Sequence, residues 1–217
     1  MRRRKVIKHI LVTAGPTREK IDPVRYISNY STGTFGYEIA AAAKRRGLSV
    51  TLVSGPTLLP APKGVKLVPV ESASEMRAAV LKFIKKCDCV IMTAAVADWR
   101  PKYSARRKIK KSGARNIELV ENPDILAEVG RMRKKALAVG FALETENLEK
   151  NALKKLKDKN LDIIVANRFT SKRNVFGDKA IDVVTIDRFG NRTRIFNKSK
   201  PKLAKIILDK ALKFRIH

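Results

Sequence analysis

The segment RYISNYSTGTFG, residues 25–36, places an arginine, an asparagine, several hydroxyl side chains and two glycines just before the helical pattern IAAAAKRR. A helix N terminus needs only one capping side chain, so most of these polar groups are in excess. The free N–H groups of a first helical turn, with hydroxyls and glycines around them, form a natural phosphate site. The segment therefore predicts an anion site, and a multiply capped helix with glycines kept for packing is the alternative.

Polar loops follow three of the predicted strands, and the first of these loops leads into residues 25–36. The chain has Gly15 in TAGPT after its first predicted strand, AAVADWRP (94–101) after the third and GFALET (140–145) after the fifth. In open α/β sheets, ligands bind beyond the carboxyl ends of the strands. We therefore expect the three loops to meet at one edge of the sheet, although each alone is compatible with an ordinary turn.

The available residue types narrow the chemistry. Histidine occurs only as His9 and His217, and the two cysteines, Cys87 and Cys89, are separated by one residue. This leaves no histidine–carboxylate zinc site and matches neither a zinc knuckle nor a C-x-x-C redox motif. Catalysis must come from lysine, arginine, asparagine, carboxylates and backbone amides, which suits reactions governed by positioning and charge.

The formal net charge of +28 implies an anionic partner: a nucleotide, a phosphorylated metabolite or nucleic acid. Nucleic-acid proteins commonly show a basic stripe with aromatic residues for stacking. Here the basic residues are scattered and only 6% of residues are aromatic. A solvated basic surface is favoured, and a nucleic-acid-binding protein built on a Rossmann-like core stays open as the alternative.

The most basic stretch, RPKYSARRKIKKSGAR (100–115), contains eight basic residues and no acidic one. Its self-repulsion predicts a flexible basic flap, at about 100–115, that becomes ordered when an anion binds and then closes the site. A solvated loop or a nucleic-acid-binding patch would have the same composition.

Hydrophobic periodicity predicts the elements that position these loops. Short β-rich runs, beginning with HILVTAG and LSVTLVSG, alternate with amphipathic helices, and AIDVVTIDRFGNRTRIF has a hairpin signal in DRFGN. Repeated βαβ units require a mostly parallel sheet with helices on both faces. We predict an α/β fold, a Rossmann-like doubly wound sheet with an appended antiparallel hairpin near the C terminus, in a single domain over residues 1–217.

Two other classes of protein are disfavoured. The spacing G-x-x-G replaces the dinucleotide fingerprint G-x-G-x-x-G, and the second strand ends in VSGPT without an acid for the ribose. Both features argue against a nicotinamide-dependent oxidoreductase. No apolar run approaches the roughly 20 residues that span a bilayer, so we expect a cytoplasmic protein with no membrane partner.

Six motifs stand in a familiar order: TAGPTREKIDPVRYISNYSTGTFG, AAVADWRP, KIKK, NPDIL, VGFALET and KKLKDKNLDIIVAN. From about Ile10 to the terminal helix, the chain resembles phosphopantothenoylcysteine synthetase (phosphopantothenate–cysteine ligase) of coenzyme A biosynthesis. The resemblance implies a ligase that joins 4′-phosphopantothenate and L-cysteine through an acyl-CMP intermediate, with release of CMP and pyrophosphate. CTP is the implied co-substrate, and the same reaction with ATP is the alternative.

The resemblance also implies partners. Mg²⁺ would accompany the nucleotide, and the protein would be a homodimer. The family is commonly fused to a flavin-dependent decarboxylase whose motifs are missing from this sequence. We therefore expect no flavin, and either an excised domain or a stand-alone synthetase with a separate phosphopantothenoylcysteine decarboxylase.

Residue roles follow by matching motifs. Asn29 and Lys108 would be catalytic. The acyl substrate would be bound by Arg25, reaching across the dimer interface, and by Asn29, Ala94, Ala95 and Asp98. The nucleotide would be bound by Gly15, Ser31, Gly33, Gly36, Asp98, Lys108, Asn122, Pro123, Asp124, Ile125, Phe141, Lys155 and Lys159. No metal ligand is predicted.

Ordinary explanations exist for several of these residues. Arg25 could form a surface ion pair, Asn29 could be a turn residue and Phe141 a core residue. Lys155 and Lys159 are two of many lysines. One position departs from the family pattern: STGTFG stands where SSGKMG is common, so Thr34 supplies no positive charge at the start of the helix.

Overall fold

The computed structural model describes residues 6–111, 116–133, 136–170 and 179–214, and its elements alternate as the periodicity predicts. The strands are β1 (His9–Ala14), β2 (Arg18–Lys20), β3 (Tyr26–Ser28), β4 (Ser49–Ser54), β5 (Lys66–Pro69), β6 (Cys89–Met92), β7 (Trp99–Pro101), β8 (Leu119–Glu121), β9 (Leu137–Glu144), β10 (Ile163–Arg168), β11 (Ile181–Asp187) and β12 (Arg192–Lys198). The helices are α1 (Thr34–Arg45), α2 (Ala73–Ile84), α3 (Ile125–Met132), α4 (Leu148–Asp158) and α5 (Lys200–Lys213).

Eight strands form the main sheet in the order β12-β11-β10-β9-β6-β1-β4-β5. The six strands from β10 to β5 in this order are parallel to one another, whereas β11 is antiparallel to both β10 and β12. The chain moves outward from β1 through β4 to β5 and then returns to β6, so the strand order reverses between β1 and β6. The predicted doubly wound fold is confirmed, and the C-terminal hairpin extends the same sheet.

The central strand β1 is buried on both faces. Ile10 and Val12 pack in a cluster that includes side chains of α1 and α5, while Leu11 packs in a second cluster with side chains of α2, α3 and α4. All three side chains have 0% exposure. A continuous apolar run is typical of a parallel strand covered by helices on both sides. The carboxyl end of β1 is therefore held firmly at the centre of the molecule.

The start of α3 differs from the prediction. The motif NPDIL predicts Asn122 as the N-cap and Pro123 as the first helical residue, but Asp124 caps the helix by accepting the backbone N–H of Ala127 at 3.0 Å. The Asn122 amide instead donates to the carbonyl of Ala97 at 2.9 Å. The cap moves because the Asn122 side chain binds the loop after β6 rather than its own helix.

Two small hairpins lie outside the main sheet. β2 pairs with β3 after the carboxyl end of β1, and β7 pairs with β8 after the carboxyl end of β6. The sequence predicts β8 as extended but does not predict the other three strands, nor β5 at the sheet edge. Since both hairpins leave from neighbouring strands, they border the same edge of the sheet.

The main sheet ends at β5 on one side and at β12 on the other, and β12 is rich in charged residues. Its Arg192 and Arg194 pair with Glu149 of α4 at 3.0 and 2.6 Å, and Ile195 is the buried residue of the strand.

Within the described parts of the chain, no helix combines the length and apolar character that crossing a membrane requires.

Candidate active site

The loops after β1 and β6 join at the point where the strand order reverses. Ala95 donates its N–H to the carbonyl of Gly15 at 2.9 Å, and its own carbonyl accepts the N–H of Thr17 at 3.2 Å. Ala94 donates to the hydroxyl of Thr13 at 3.2 Å. The predicted residues Gly15, Ala94 and Ala95 are therefore adjacent, at the place where doubly wound sheets bind ligands.

Asn29 lies directly over this junction. Its side-chain amide donates to the carbonyl of Ala95 at 2.9 Å, and the residue is exposed. The preceding Ser28 anchors the backbone by donating its hydroxyl to the carbonyl of Thr17 at 2.8 Å. Asn29 thus has a fixed orientation and an accessible amide, and it lies beside two of the other residues predicted to bind the acyl substrate.

The N terminus of α1 has no side-chain cap. Gly33 is the N-cap residue, with φ of 79°, and no acidic residue lies in the first turn. The surrounding hydroxyls do not cap the first turn: Thr32 and Thr34 contact each other at 2.9 Å, and Ser31 accepts the N–H of the N-cap residue Gly33 at 3.3 Å. The multiply capped helix is therefore wrong, and the first turn has the uncapped N terminus that anion sites use.

The glycines allow this helix to approach the sheet closely. Gly15 and Gly33 both have left-handed φ values, 74° and 79°, and a Cβ on Gly33 would lie 3.3 Å from the Cα of Gly15. A Cβ on Gly36 would lie 2.5 Å from the Cβ of Ala14 and 2.6 Å from the hydroxyl of Thr93. Part of the glycine pattern thus serves packing, and that packing places the α1 N terminus beside the junction.

Phe141 lies near the carboxyl end of β9 and is half-buried. Its ring contacts that of Phe35 in the first turn of α1 edge-to-face, with centroids 5.1 Å apart and planes at 70°. Such pairs hold aromatic rings in a defined orientation. The third predicted loop therefore joins the same edge, because Phe141 borders the open helix N terminus.

The segment before α3 is tied to the loop after β6. Asn122 donates its backbone N–H to the carbonyl of Asp98 at 2.8 Å, and its side-chain oxygen accepts from Arg100 at 3.1 Å. Pro123 follows, and Ile125 is buried in the core. The carboxylate of Asp98 itself is exposed. The backbone between Asn122 and Ile125 is thus rigidly held, which suits recognition through main-chain groups.

The two predicted phosphate-binding lysines form ion pairs. Lys155 of α4 contacts Glu144 at 2.7 Å, and Lys159, the C-cap residue of α4, contacts Asp124 at 3.1 Å. Burial opposes ionisation of Asp124, but the N–H of Ala127 and the ammonium of Lys159 bring the pKa of that carboxyl below its usual value. An ammonium group has three N–H donors, so one carboxylate contact does not prevent either lysine from binding a phosphate.

Arg25 lies in the connection between β2 and β3, and Lys108 lies in the basic segment that contacts this connection. The Arg25 guanidinium pairs closely with Asp22 and also donates to the carbonyl of Ile109 at 2.8 Å. Arg25 and three backbone N–H groups hold the pKa of Asp22 well below its usual range, against the opposing effect of burial. Lys108 is exposed next to Ile109. Residues 112–115 of the predicted flap lie outside the described residues.

The described residues at this edge offer basic side chains and an uncapped helix N terminus, but no cluster of metal ligands. Among residues 6–111, 116–133, 136–170 and 179–214, no three histidine, cysteine, aspartate or glutamate side chains are grouped to hold a metal ion. Mg²⁺ often retains water and binds through substrate phosphates rather than through a full set of protein ligands. The donor set therefore fits a metal that enters with a nucleotide.

The sequence profile of the DNA/pantothenate metabolism flavoprotein C-terminal domain family matches residues 6–214. The chain belongs to this family. Its backbone follows that of the crystallised C-terminal domain of the coenzyme A biosynthesis bifunctional protein CoaBC with a TM-score of 0.81, 43% identity and 94% coverage of each chain. A lower similarity, 18% identity and a TM-score of 0.75, links its fold to a Cab2 mutant in complex with phosphopantothenate-cysteine, over 94% of this chain and 85% of that one.

Among curated proteins, the bifunctional CoaBC of Bacillus subtilis is 50% identical over 172 residues, which cover 78% of this chain and 42% of that protein. The CoaBC of Escherichia coli K12 is 51% identical over 168 residues, covering 74% and 41%. The matched segments thus span about two fifths of these relatives. What they share with the chain is the synthetase half of CoaBC.

Family motifs did not identify two carboxylates of this edge. Asp22 contacts Arg25 and Ile109, and Glu144 holds Lys155 with its carboxylate mostly buried, at 12% exposure. The sequence carries a weak signal for Asp22, since it is the acidic residue of IDPVR, three residues before the arginine. Glu144 has a signal only as the acidic end of GFALE, where a buried strand reaches the ligand edge.

Proposed function

We propose that the chain is a phosphopantothenate–cysteine ligase. It would join 4′-phosphopantothenate to L-cysteine with CTP, through an acyl-CMP intermediate, and release CMP and pyrophosphate. The observation that carries the proposal is the uncapped N terminus of α1 beside Asn29 and Ala95. This arrangement offers donors for a triphosphate next to an oriented amide for a carboxylate, and it lies at the strand-order reversal of a family domain shared with CoaBC.

In the first step, a carboxylate oxygen of 4′-phosphopantothenate attacks the α-phosphorus of CTP. The bond from that phosphorus to the α–β bridging oxygen breaks, and pyrophosphate leaves. The N–H groups of residues 34–36 would bind phosphate oxygens, while Lys155 and Lys159 would neutralise charge on pyrophosphate. Proton transfer has little part in this step, so the scarcity of histidine is no obstacle.

In the second step, the amine of L-cysteine attacks the acyl carbonyl carbon, loses a proton and expels CMP. Asn29 would donate to the developing oxyanion with the second N–H of its amide, while the first donates to the carbonyl of Ala95 at 2.9 Å and fixes the orientation of the group. A donor of this kind typically lowers an activation barrier by about 3–4 kcal/mol. Lys108 would add positive charge from the basic segment.

Nucleotide choice is assigned to the segment 122–125. The side chain of Asn122 is occupied by Ala97 and Arg100, so its neighbours would offer fixed backbone groups to a small pyrimidine. Phe141 and Phe35 would pack against the nucleoside. CTP is therefore the proposed co-substrate in preference to ATP, with Mg²⁺ carried on its phosphates.

Assembly and location complete the proposal. The exposed side chains of Val24 and Tyr26, on both sides of Arg25, would face a second copy in a homodimer, and Arg25 would bind the substrate phosphate of the partner site. Arg25 suits this role because its planar fork matches phosphate oxygens. The protein would act in the cytoplasm.

Pyrophosphate release tests the function. The purified chain is incubated with 4′-phosphopantothenate, Mg²⁺ and either CTP or ATP, with and without L-cysteine. We expect release with CTP that becomes sustained turnover when L-cysteine is added. A preference for ATP would keep the reaction and overturn the nucleotide choice. No release from a folded sample with either nucleotide would overturn the ligase, and binding to DNA at increasing salt would then test the nucleic-acid alternative.

A further inference from the structure

Asp22 has an unusual environment for a carboxylate on a basic molecule. Its side chain has 0% exposure. One oxygen accepts the backbone N–H groups of Val24 at 2.8 Å and Arg25 at 2.9 Å. The other accepts the Nε of Arg25 at 3.0 Å and the backbone N–H of Ile109 at 3.1 Å. Two separate parts of the chain therefore meet on one buried anion.

The backbone carbonyl of Ile109 is held as well as its N–H. Arg25 donates to that carbonyl at 2.8 Å, so Asp22 and Arg25 together bind both the N–H and the C=O of Ile109. A second link lies nearby, where Ala105 donates its N–H to the carbonyl of Ile21 at 2.9 Å. We call these contacts of residues 21–25 with Ala105 and Ile109 the Asp22 clasp.

The clasp explains how a self-repelling segment has a defined place. Arg106, Arg107 and Lys108 lie between its two links and are all exposed. The carboxylate of Asp22 contacts this stretch by accepting the N–H of Ile109, which lies 87 residues further along the chain. A carboxylate that accepts several N–H groups and an arginine stays ionised. The backbone on both sides of Lys108 is therefore fixed relative to Arg25.

We propose that Asp22 is a positioning residue, which holds Lys108 and Arg25 in one fixed arrangement, Lys108 for the reacting phosphate and Arg25 for the substrate phosphate of the partner site. The proposal rests on the proposed ligase function. When a substrate phosphate draws Arg25 away from the carbonyl of Ile109, the Asp22 carboxylate still binds the N–H of Ile109. Lys108 thus keeps its place while Arg25 binds substrate.

The Asp22→Asn variant tests this role. Asparagine keeps the volume and one acceptor, but places an NH₂ group where Ile109 and Arg25 donate. We expect kcat to fall at least about tenfold, with KM for CTP changed less than about threefold. In a Lys108→Ala background, the same substitution should lower kcat by less than about threefold, because the residue acts through Lys108. Equal losses in both backgrounds, or no loss in the parent, would overturn the proposal.

Amide hydrogen exchange separates this proposal from the ligase function, since it needs no activity. The amides of Ala105 and Ile109 should exchange at least about tenfold faster in Asp22→Asn. Glu71→Gln is the matched control, because Glu71 forms an exposed pair with Lys20 outside the clasp, and it should change neither exchange nor kcat. Unchanged exchange in Asp22→Asn would refute the clasp even if the parent protein proved inactive.

A second variant covers loss of folding. Ile109→Pro removes the N–H that Asp22 accepts and leaves both Asp22 and Arg25 in place. It should reproduce the fall in kcat, and combining it with Asp22→Asn should add little, because both remove the same contact. Wild-type kcat in a folded Ile109→Pro variant would overturn the proposal.

Discussion

At the level of single residues, Asn29 carries the most specific prediction. Asn29→Asp replaces the donor to Ala95 by a carboxylate, which would repel both that carbonyl and the substrate carboxylate. We expect kcat/KM for 4′-phosphopantothenate to fall at least about 100-fold, because an oriented donor to the reacting group is lost. Steady-state pyrophosphate release measures this value.

The exposed position of Asn29 predicts little effect of this change on folding. Asn197→Asp is the matched control, since it makes the same chemical change at an exposed residue of β12 away from the ligand edge. A similar loss of activity in the control, or a much lower melting temperature in Asn29→Asp, would show that Asn29 acts through stability.

Thr34 carries the second residue-level prediction. Thr34→Lys restores the charge that the family motif commonly has at the start of α1, next to the proposed triphosphate. We expect KM for CTP to fall about fivefold, the equivalent of ~1 kcal/mol. Thr34→Met provides the control of similar length without charge. An unchanged or higher KM in Thr34→Lys would indicate that the basic segment already supplies the positive charge needed.

The positions of the candidate site residues could be predicted only where a motif is local. Asn29, Gly33 and Gly36 lie in one short segment, and the structure brings them to one edge with Ala95. The role of Asp22 could not be predicted, because the N–H of Ile109 that it binds lies 87 residues further along the chain. Hydrogen bonds of this range depend on the tertiary fold and leave no pattern in sequence.

At the level of elements, the packing of α1 on β1 predicts the effect of Gly36→Ala. A methyl group would lie 2.5 Å from the Cβ of Ala14 and 2.6 Å from the hydroxyl of Thr93, so the helix must move outward. We expect a loss of about 1–3 kcal/mol in the free energy of unfolding and a higher KM for CTP. Urea unfolding and steady-state kinetics measure the two effects.

Gly47→Ala is the informative comparison for that substitution. Gly47 follows α1 with φ of 77°, and a Cβ there would meet no atom within 4 Å. Only backbone strain, about 1–2 kcal/mol, is expected, with an unchanged KM for CTP. If both variants raised KM equally, general weakening of α1 rather than its distance from β1 would be responsible.

The stability that Asp22 contributes, in the loop before β3, should depend on pH. The pKa of Asp22 is depressed in the folded chain, chiefly by Arg25, so its ionised form stabilises folding above the ordinary aspartate pKa of about 3.9. This stabilisation is lost as pH falls below that value. The difference in the free energy of unfolding between the parent and Asp22→Asn should therefore stay constant above about pH 5 and shrink progressively as pH is lowered from about 5 to 3 in urea titrations. A constant difference across this range would contradict the assignment.

Element boundaries show where sequence patterns reach their limit. Strands with continuous apolar runs, such as β1 and β9, were predictable because burial on both faces demands those runs. The three-residue strands β2, β3 and β7 are too short to show a period. The predicted N-cap of α3 was wrong because Asn122 and Asp124 are both good capping residues. Only the contact of Asn122 with the loop after β6 decides between them.

At the scale of the whole molecule, a buried ion cluster lies at the amino ends of the parallel strands, opposite the candidate site. Asp162, with 0% exposure, pairs closely with Arg133, contacts Arg188 at 2.9 Å and accepts the N–H of Ala138 at 2.9 Å. Asp162→Asn should lower the free energy of unfolding by about 3–5 kcal/mol, because it leaves buried arginine charge without its partner. Urea unfolding measures the loss.

Activity per folded molecule should be unchanged in that variant, since Asp162 precedes β10 at the amino ends of the strands. Glu149→Gln is the control at a partly exposed arginine pair and should cost much less stability. A fall in kcat for folded Asp162→Asn would mean that the two sheet edges are coupled.

The overall topology was the part of the fold that sequence predicted best. Alternating strand and helix patterns require right-handed crossovers, which leave few possible strand orders. The hairpin signal DRFGN was also correct, but its attachment to β10 follows from side-chain packing that no local pattern records. The site could be placed at the carboxyl edge for the same topological reason.

The charged edge strand β12 affects how readily the protein aggregates at high concentration. An outermost strand offers unpaired backbone groups on which another copy could add, the first event in amyloid-like aggregation. Here that border carries Arg192, Arg194 and Lys198, and the chain has a net charge of +28. Two such borders repel each other before their backbones can pair. The same arginines that hold Glu149 therefore keep the extended sheet of one molecule from growing into its neighbour.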